Sequence, residues 1–252
     1  MELVTKANFE EASSFILSNL KRSAFMYGNL SHANAASYIY RENGQILAMA
    51  NIIEDRYCTY LFPENTKDQV VEAVIEAMKQ YKHIGGTVTG RYKDIFAKHY
   101  KLPSNCENEV ASLDNFNSKL HVVNDIQDID VAHVDKYYDA IKTIKEFNND
   151  YEEVKSSFAR SKVVAAFDGD KIVSAATMSS LSDKTGVVTS VFTRSDYRGQ
   201  GHAKDCVRKL LNDYAEGRTL LIFFTNPIAK QIYLDLGFKV DDKLIMFNQP
   251  LI

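Results

Sequence analysis

The sequence predicts an α/β protein (a mixed, α+β-type sheet flanked by helices) built as two tandem halves. Three observations carry this. Short apolar strands alternate with amphipathic helical stretches along the whole chain. The order hairpin, strand, helix, strand, helix, strand occurs twice: "NGQILAMANII" stands where "GDKIVSAATMSS" stands later, and "GGTVTGRYKDIFAKHY" where "LLIFFTNPIAKQIYLDLG" stands. With 252 residues, 45% of them hydrophobic and 25% charged, the chain is long enough for two small domains. The boundary falls at 115–120, giving domains 1–118 and 119–252. No Pro- or Gly-rich linker separates them, so a shared interface is expected.

In the first half, "ANFEEASSFILSNL" has helical spacing with Asn8 as N-cap. "SYIYRENGQILAMANII" is a hairpin turned at Asn43-Gly44. "YCTYLF" is a third strand. "NTKDQVVEAVIEAMKQY" is a helix capped by Asn65 or Thr66, with Asp68 in its first turn. "HIGGTVTG" is a strand, "RYKDIFAKHY" a short helix and "EVASL" a strand. The second half starts at "KLHVV", and helices are expected over 129–146 and 151–160. "KVVAAFDGDKIVSAATMSSL" is a hairpin turned at Asp168-Gly169. "TGVVTSVFT" is a strand, and "HAKDCVRKLLNDYAEG" a helix ending at Gly217. "TLLIFF" is a buried strand. "NPIAKQIYLDLG" is a helix with Pro227 in its first turn and Gly237 at its end, and "KLIMFN" closes the chain.

Composition narrows the function. A formal net charge of -3 gives no nucleic-acid or membrane-binding signature. No apolar run reaches the ~18–20 residues of a membrane span, and the N-terminus "MELVTKANFEEASSF" lacks a signal-peptide core. Cys58, Cys106 and Cys206 are odd in number and far apart, which points to a reducing cytoplasm. None has a histidine at metal-ligand spacing, so no metal is expected.

The chemistry concentrates in "TRSDYRGQGHAKD". A strand, a tight glycine turn and a helix start gather several backbone N–H groups in one concave cluster, and the helix dipole adds partial positive charge. That combination binds phosphate. Gly199 and Gly201 allow unusual backbone angles and let a phosphate approach. Arg198 adds a forked donor, and Ala203 keeps the first helical turn small. The loop lacks the Gly-Lys-Ser/Thr of a Walker loop and the third glycine of a dinucleotide fingerprint. Downstream, "TNPIAKQIYLDLGF" places Asn226, Ala229 or Lys230, and Tyr233 on one helix face, two turns end to end.

These two motifs resemble the GCN5-related N-acetyltransferase (GNAT) superfamily. Its acyl-CoA signature, R/Q-x-x-G-x-G/A, is matched by Arg198, Gly201 and Ala203. Its second motif, N-x-x-A-x-x-x-Y-x-x-x-G-F, is matched by Asn226, Ala229, Tyr233, Gly237 and Phe238. The likeness covers 120–252, and the branch it resembles is that of the glycine N-acyltransferases. It implies tandem GNAT-like halves, each a mostly antiparallel mixed sheet, splayed in the second half between "VVTSVFT" and "TLLIFF". It further implies acetyl-CoA as acyl donor, its pantetheine arm on the backbone of Val191, Phe192 and Thr193. The pyrophosphate is expected on the amides of Arg198, Gly199, Gln200, Gly201, His202, Ala203 and Lys204. Asn226 would face the pantetheine and Tyr233 the thioester sulfur. An amine attacks the thioester directly in a ternary complex, a backbone N–H near Val191 holds the oxyanion, and Tyr233 is the general acid.

Two departures stand out. Many relatives carry a glutamate base on the strand before the glycine loop, where this chain has "TGVVTSVFT". Substitute bases are Glu146, Asp150, Glu152 and Glu153, or none if the amine arrives partly neutral. The first-half counterpart of the loop, "LFPENTKDQVV", has no glycine, loses an amide at Pro63 and carries Glu64 and Asp68. Gly90 and Ala97 stand where Asn226 and Tyr233 stand later. This degenerate half is expected to supply a wall of the acceptor site or a homodimer surface. The reading is a cytoplasmic N-acetyltransferase acting on a small-molecule or amino-acid-like amine, with one site in the C-terminal half. The alternatives are a non-catalytic acyl-CoA sensor or partner subunit, an aminoacyl-tRNA-dependent transferase, disfavoured by the net charge, and a purely structural copy of the fold.

Overall fold

The computed structural model describes every residue except 31, 33, 55, 143, 145, 146, 148, 149 and 249–252. In chain order the elements are β1 (Glu2–Leu3), α1 (Phe9–Leu17), α2 (Leu20–Asn29), β2 (Ala35–Glu42), β3 (Gln45–Ile53), β4 (Tyr57–Leu61), α3 (Asp68–Met78), β5 (Gly85–Thr89), α4 (Lys93–His99) and β6 (Glu107–Leu113). They continue with β7 (Ile126–Ile129), α5 (Val134–Ile141), α6 (Tyr151–Arg160), β8 (Lys162–Asp168), β9 (Lys171–Ser179), β10 (Thr185–Thr193), α7 (His202–Tyr214), β11 (Thr219–Phe224), α8 (Pro227–Asp235) and β12 (Lys239–Asn248). The repeated order of hairpin, strand, helix, strand, helix, strand is therefore real: β2 to β6 is followed by β8 to β12.

Contacts group the chain into two compact units, neither a single stretch. One holds Met1–Ser112, Phe223–Lys230 and Lys239–Ile252; the other holds Leu113–Ile222 and Gln231–Phe238. The tandem halves describe the order of elements; the units describe what packs together.

The first unit has neighbouring strands in the order β1-β2-β3-β4-β5-β12-β6. The β4–β5 pair is parallel and the pairs of β12 with β5 and β6 are antiparallel. Asn43 and Gly44 both have positive φ, 48° and 81°, as a type I′ hairpin turn requires. One face carries α3 and α4 over an aromatic core of Tyr60, Phe62, Tyr92, Phe96, Tyr100 and Phe247. The other buries Ala12, Ile16 and Met26 of α1 and α2 against Ile39, Met49 and Leu61. Helix α2 has no counterpart in the sequence reading. It is polar on average and kinked at Ser23, whose hydroxyl donates to the carbonyls of Ile16 and Asn19 instead of solvent. Asn8 precedes α1 but does not cap it: its amide donates to Glu2 and to the Leu3 carbonyl. Neither Asn65 nor Thr66 caps α3. Lys67 occupies the cap position, and the Thr66 hydroxyl donates to the Pro63 carbonyl.

The second unit has the order β7-β8-β9-β10-β11, antiparallel except for β10–β11. Helices α5 and α6 cover one face through Tyr137, Val154 and Phe158, packed with Ile172 and Phe192. Helix α7 lies against β8, β9 and β10 with Cys206, Val207, Leu210 and Leu211 buried. The helix expected over 129–146 is shorter. Its first residue belongs to β7, and only Val134–Ile141 is α-helical before residues outside the described set. Helix α6 starts where expected, with Asp150 accepting from the Glu153 amide at 3.0 Å. The second hairpin pairs Asp168 with Lys171, so its turn is Gly169-Asp170, one residue beyond the expected position, with Gly169 at φ 55°.

Candidate active site

Strand β10 brings the first part of the site into being. It pairs with β11 from Thr185↔Thr219 to Val188↔Ile222, and the pairing described ends there. On its other side the register with β9 jumps between Thr189 and Phe192, and Ser190 takes φ 52°. This bulge follows directly on the last β10–β11 pair. Val191, Phe192 and Thr193 thus lie on a stretch of β10 beyond the β11 ladder. Phe192 is buried, its carbonyl taking the Ser174 hydroxyl at 2.6 Å; Ser174 also meets the Thr193 hydroxyl at 2.9 Å. Beneath the bulge, the buried Tyr137 hydroxyl hydrogen-bonds the side chains of Thr177 and Ser190, and burial raises its pKa.

The strand leads into a short 3-10 turn, Ser195–Tyr197, fixed from both ends. Arg194 donates through Nε to the Ile172 carbonyl at 2.8 Å and through Nη2 to Asp139 at 3.1 Å. Tyr197 donates to Asp168 at 2.5 Å. Gly199 and Gly201 follow at φ 78° and 83°, and Gly201 is the N-cap of α7. Nothing lies within 4 Å of where a Cβ on Gly199 would stand. Both glycines are there for backbone angle, and the outer side of the loop is open to a ligand. Arg198, Gly199, Gln200 and Gly201 are exposed, while His202, Ala203 and Lys204 are half-buried. Arg198 Nε donates to the Thr193 carbonyl at 3.3 Å. The Nδ1 atom of His202 is buried without a hydrogen-bond partner among the described residues.

Helix α8 carries the second motif. Asn226 Oδ1 accepts from the Ile228 amide at 2.9 Å, so this side chain does start its helix. Tyr233 is 5% exposed, and burial pushes its phenol up to about 12. The end of α8 reaches the first turn of α7, which follows the glycine loop: Lys204 Nζ meets Asp235 Oδ2 at 2.8 Å, and Gln231 donates to the other oxygen of Asp235. The structure thus joins the loop and the tyrosine helix that the sequence left as separate motifs. Of the substitute bases, Glu146 lies outside the described residues. Asp150 is engaged as the α6 cap and Glu152 is exposed.

Sequence reasoning missed Asn124 and Asp205. Asp205 reads as an ordinary acidic residue in a helix first turn, yet it is 2% exposed. Burial raises its pKa, and the hydrogen bonds from Asn124 and Val123 with the Arg208 ion pair more than reverse this, leaving it below the usual range. Nothing in its spacing signals that role.

In the first unit, the counterpart loop presents carbonyls turned inward. Tyr92 donates toward the carbonyls of Pro63 and Thr66 at 3.3 and 3.4 Å, and Arg91 donates to that of Glu64. Among the described residues, no cluster of three or more His, Cys, Asp or Glu side chains could hold a metal, and no helix is long and apolar enough to cross a membrane.

A sequence model of the family described as GNAT acetyltransferase matches residues 7–247. No curated protein matches the chain at a significant level. Solved structures do. A Drosophila protein aligns over 99% of this chain and 98% of its own, at 9% identity and TM-score 0.72. A tandem GNAT protein from the clavulanic acid biosynthesis pathway aligns over 99% and 98%, at 12% identity and TM-score 0.57. A GNAT-family acetyltransferase from Colwellia psychrerythraea aligns over 98% of both chains, at 14% identity and TM-score 0.55. At such identities these likenesses establish the fold.

Proposed function

Because the chain belongs to the GNAT acetyltransferase family and is therefore an acyl-CoA-dependent acyltransferase, we propose that it transfers the acetyl group of acetyl-CoA to the amine of a small, amino-acid-like acceptor. The donor would lie along β10 and α7. The observation that carries this is the end of the β10–β11 ladder at Val188↔Ile222, followed within one loop by two left-handed glycines and a helix start.

Each residue then has a task. The backbone of Val191, Phe192 and Thr193 hydrogen-bonds the amide-bearing arm of the donor. The amides from Arg198 to Lys204 take the pyrophosphate, with the His202 ring as an added partner. Asn226 is assigned to the arm by its match to the family's second motif. The N–H near Val191, turned by the bulge, holds the oxyanion as the amine attacks. Tyr233 serves the leaving sulfur. At about 12, its phenol is a weaker acid than an ordinary thiol near 8.5. Full proton transfer would be uphill by about 5 kcal/mol unless the buried thiolate is itself raised. Tyr233 therefore acts first as a hydrogen-bond donor to the thiolate. Deprotonation of the amine falls to solvent, since β10 offers Thr189 and Ser190 where a carboxylate would serve.

The small-amine acceptor is supported by the resemblance of the second half to glycine N-acyltransferases and by a net charge of -3, which gives no nucleic-acid surface. The cytoplasm is the compartment in keeping with three free, buried cysteines. The domains 1–118 and 119–252 are read as a duplicated pair in which the first copy has given up the donor site: its loop has no glycine, Pro63 offers no amide, and Glu64 and Asp68 would repel phosphate. Calorimetric titration with acetyl-CoA tests the reading, beside a chain carrying Arg198→Ala and Gly201→Asp together. One site per chain, lost in the variant, is expected, followed by turnover on a panel of small amines. Two sites per chain would overturn the degenerate first half, and no binding by folded protein would overturn the donor site.

A further inference from the structure

The phosphate loop has a brace of its own. Residues 120–124 run as a strap beside α7, tied at both ends. At the far end, Asn212 Oδ1 accepts from the Leu120 amide at 2.8 Å and its Nδ2 donates to the Leu120 carbonyl at 2.9 Å. Two turns earlier on the same helix, the buried Asp205 Oδ2 accepts from the Val123 amide at 3.1 Å, the Asn124 amide at 2.9 Å and Asn124 Nδ2 at 2.7 Å. Asp205 Oδ1 takes Arg208 Nη1 at 2.8 Å. A carboxylate buried to this degree is tolerated only when its lone pairs are met, and here they are.

The tie continues into the loop. Asn124 Nδ2 also donates to the Gln200 carbonyl at 3.4 Å, and it stands 3.8 Å from where a Cβ on Gly201 would be. No cis peptide bond occurs among the described residues, so the Gln200 carbonyl and the Gly201 N–H point in opposite directions. Holding that carbonyl toward Asn124 turns the Gly201 N–H away from the strap, to the outer side of the loop. We propose that Asn124, set by the buried Asp205, is a positioning residue that orients the Gln200–Gly201 peptide for the donor's phosphates. The proposal rests on the acyl-CoA reading above. Its value to binding is preorganisation: the donor then meets an amide already turned toward it.

The test compares two donors. Wild type, Asn124→Ala, Asp205→Asn and Asn212→Ala are titrated with acetyl-CoA by calorimetry and with S-acetylpantetheine, which lacks the phosphates, by NMR. Asn124→Ala is expected to bind acetyl-CoA roughly tenfold more weakly, the worth of one oriented hydrogen bond to a charged group, and S-acetylpantetheine as wild type does. Asp205→Asn should lose at least as much, selectively for acetyl-CoA. Asn212→Ala frees the far end of the strap but leaves Gln200 held, so its acetyl-CoA affinity should stay. Equal losses for both donors, unchanged acetyl-CoA affinity in Asn124→Ala, or an equal loss in Asn212→Ala would each overturn the positioning role while leaving the acyl-CoA reading intact. Wild type that binds neither donor would overturn both.

Discussion

The amide of Phe238 donates to the carbonyl of Tyr233 at 3.1 Å, and their rings meet edge to face with centroids 6.3 Å apart. With Gly237 at φ 95° and its amide on Leu234, this is a Schellman closure of α8, complete with its hydrophobic contact. The spacing Y-x-x-x-G-F thus has a physical cause: the last two residues fix the end of the helix that carries the tyrosine. Gly237→Ala should cost about 1 kcal/mol from the left-handed backbone, with the new Cβ 3.4 Å from Leu113 Cδ1. Melting should fall by several degrees, and turnover should fall further than that loss explains. Turnover unchanged in folded Gly237→Ala would detach the closure from Tyr233.

Tyr233→Phe should lower turnover by about tenfold to hundredfold and leave acetyl-CoA affinity near wild type. The phenol, raised to about 12 by burial, stays protonated across the ordinary assay range. The pH–rate profiles of wild type and variant should therefore have the same shape between pH 6 and 10, displaced vertically. A basic limb present only in wild type would contradict the assigned protonation state.

Gly199→Ala isolates the ligand side of the loop. Its Cβ would meet no protein atom within 4 Å, so only the backbone angle opposes it. A stability loss of about 1 kcal/mol is expected. Acetyl-CoA affinity should drop by more, because the methyl group stands where phosphate approaches. Equal affinity in a folded variant, measured by calorimetry, would move the phosphate off this residue.

A buried polar chain in the first unit sets an acid limit on stability. Tyr60 and Tyr100 hydroxyls meet at 2.7 Å, and Tyr100 meets His83 Nε2 at 3.2 Å. Because His83 Nδ1 faces the Tyr81 carbonyl at 2.8 Å, it carries the proton and Nε2 accepts from Tyr100. Burial lowers the His83 pKa from 6.5 against the opposing carbonyl contact. A histidine depressed in the folded state lends stability above its unfolded pKa and loses it as pH falls below. Melting temperature should thus decline below about pH 6.5, and His83→Gln should flatten that decline while lowering the plateau. An identical slope in the variant would assign the acid limit to other groups.

Local chemistry was legible and long-range pairing was not. Asn43-Gly44, Gly199, Gly201 and Gly237 were readable because a positive φ restricts the choice of residue. That Asn226 starts a helix carrying Tyr233 was readable from the cap residue, Pro227 and the helical spacing. The helix expected from Ile129 began too early because Ile129 is the last residue of β7, a four-residue strand buried only at Ile126 and Ile129 and so without the alternation that marks a strand. Asp205 was invisible because its partners, Val123 and Asn124, are far away in sequence. For the same reason "KLIMFN" was seen as a closing strand without any sign of which neighbours it would find.

Those neighbours impose an order on biosynthesis. Strand β12 pairs with β5 from Leu244↔Thr89 to Asn248↔Gly85 and with β6 from Lys239↔Ser112 to Ile245↔Glu107. The slot it occupies is made by residues that leave the ribosome long before it does. Until β12 has been made, β5 and β6 lack the strand that pairs with both, the condition in which nascent chains pair wrongly or call on chaperones. Removing β12 would spare everything encoded before it, yet the damage would fall on the unit built mainly from Met1–Ser112.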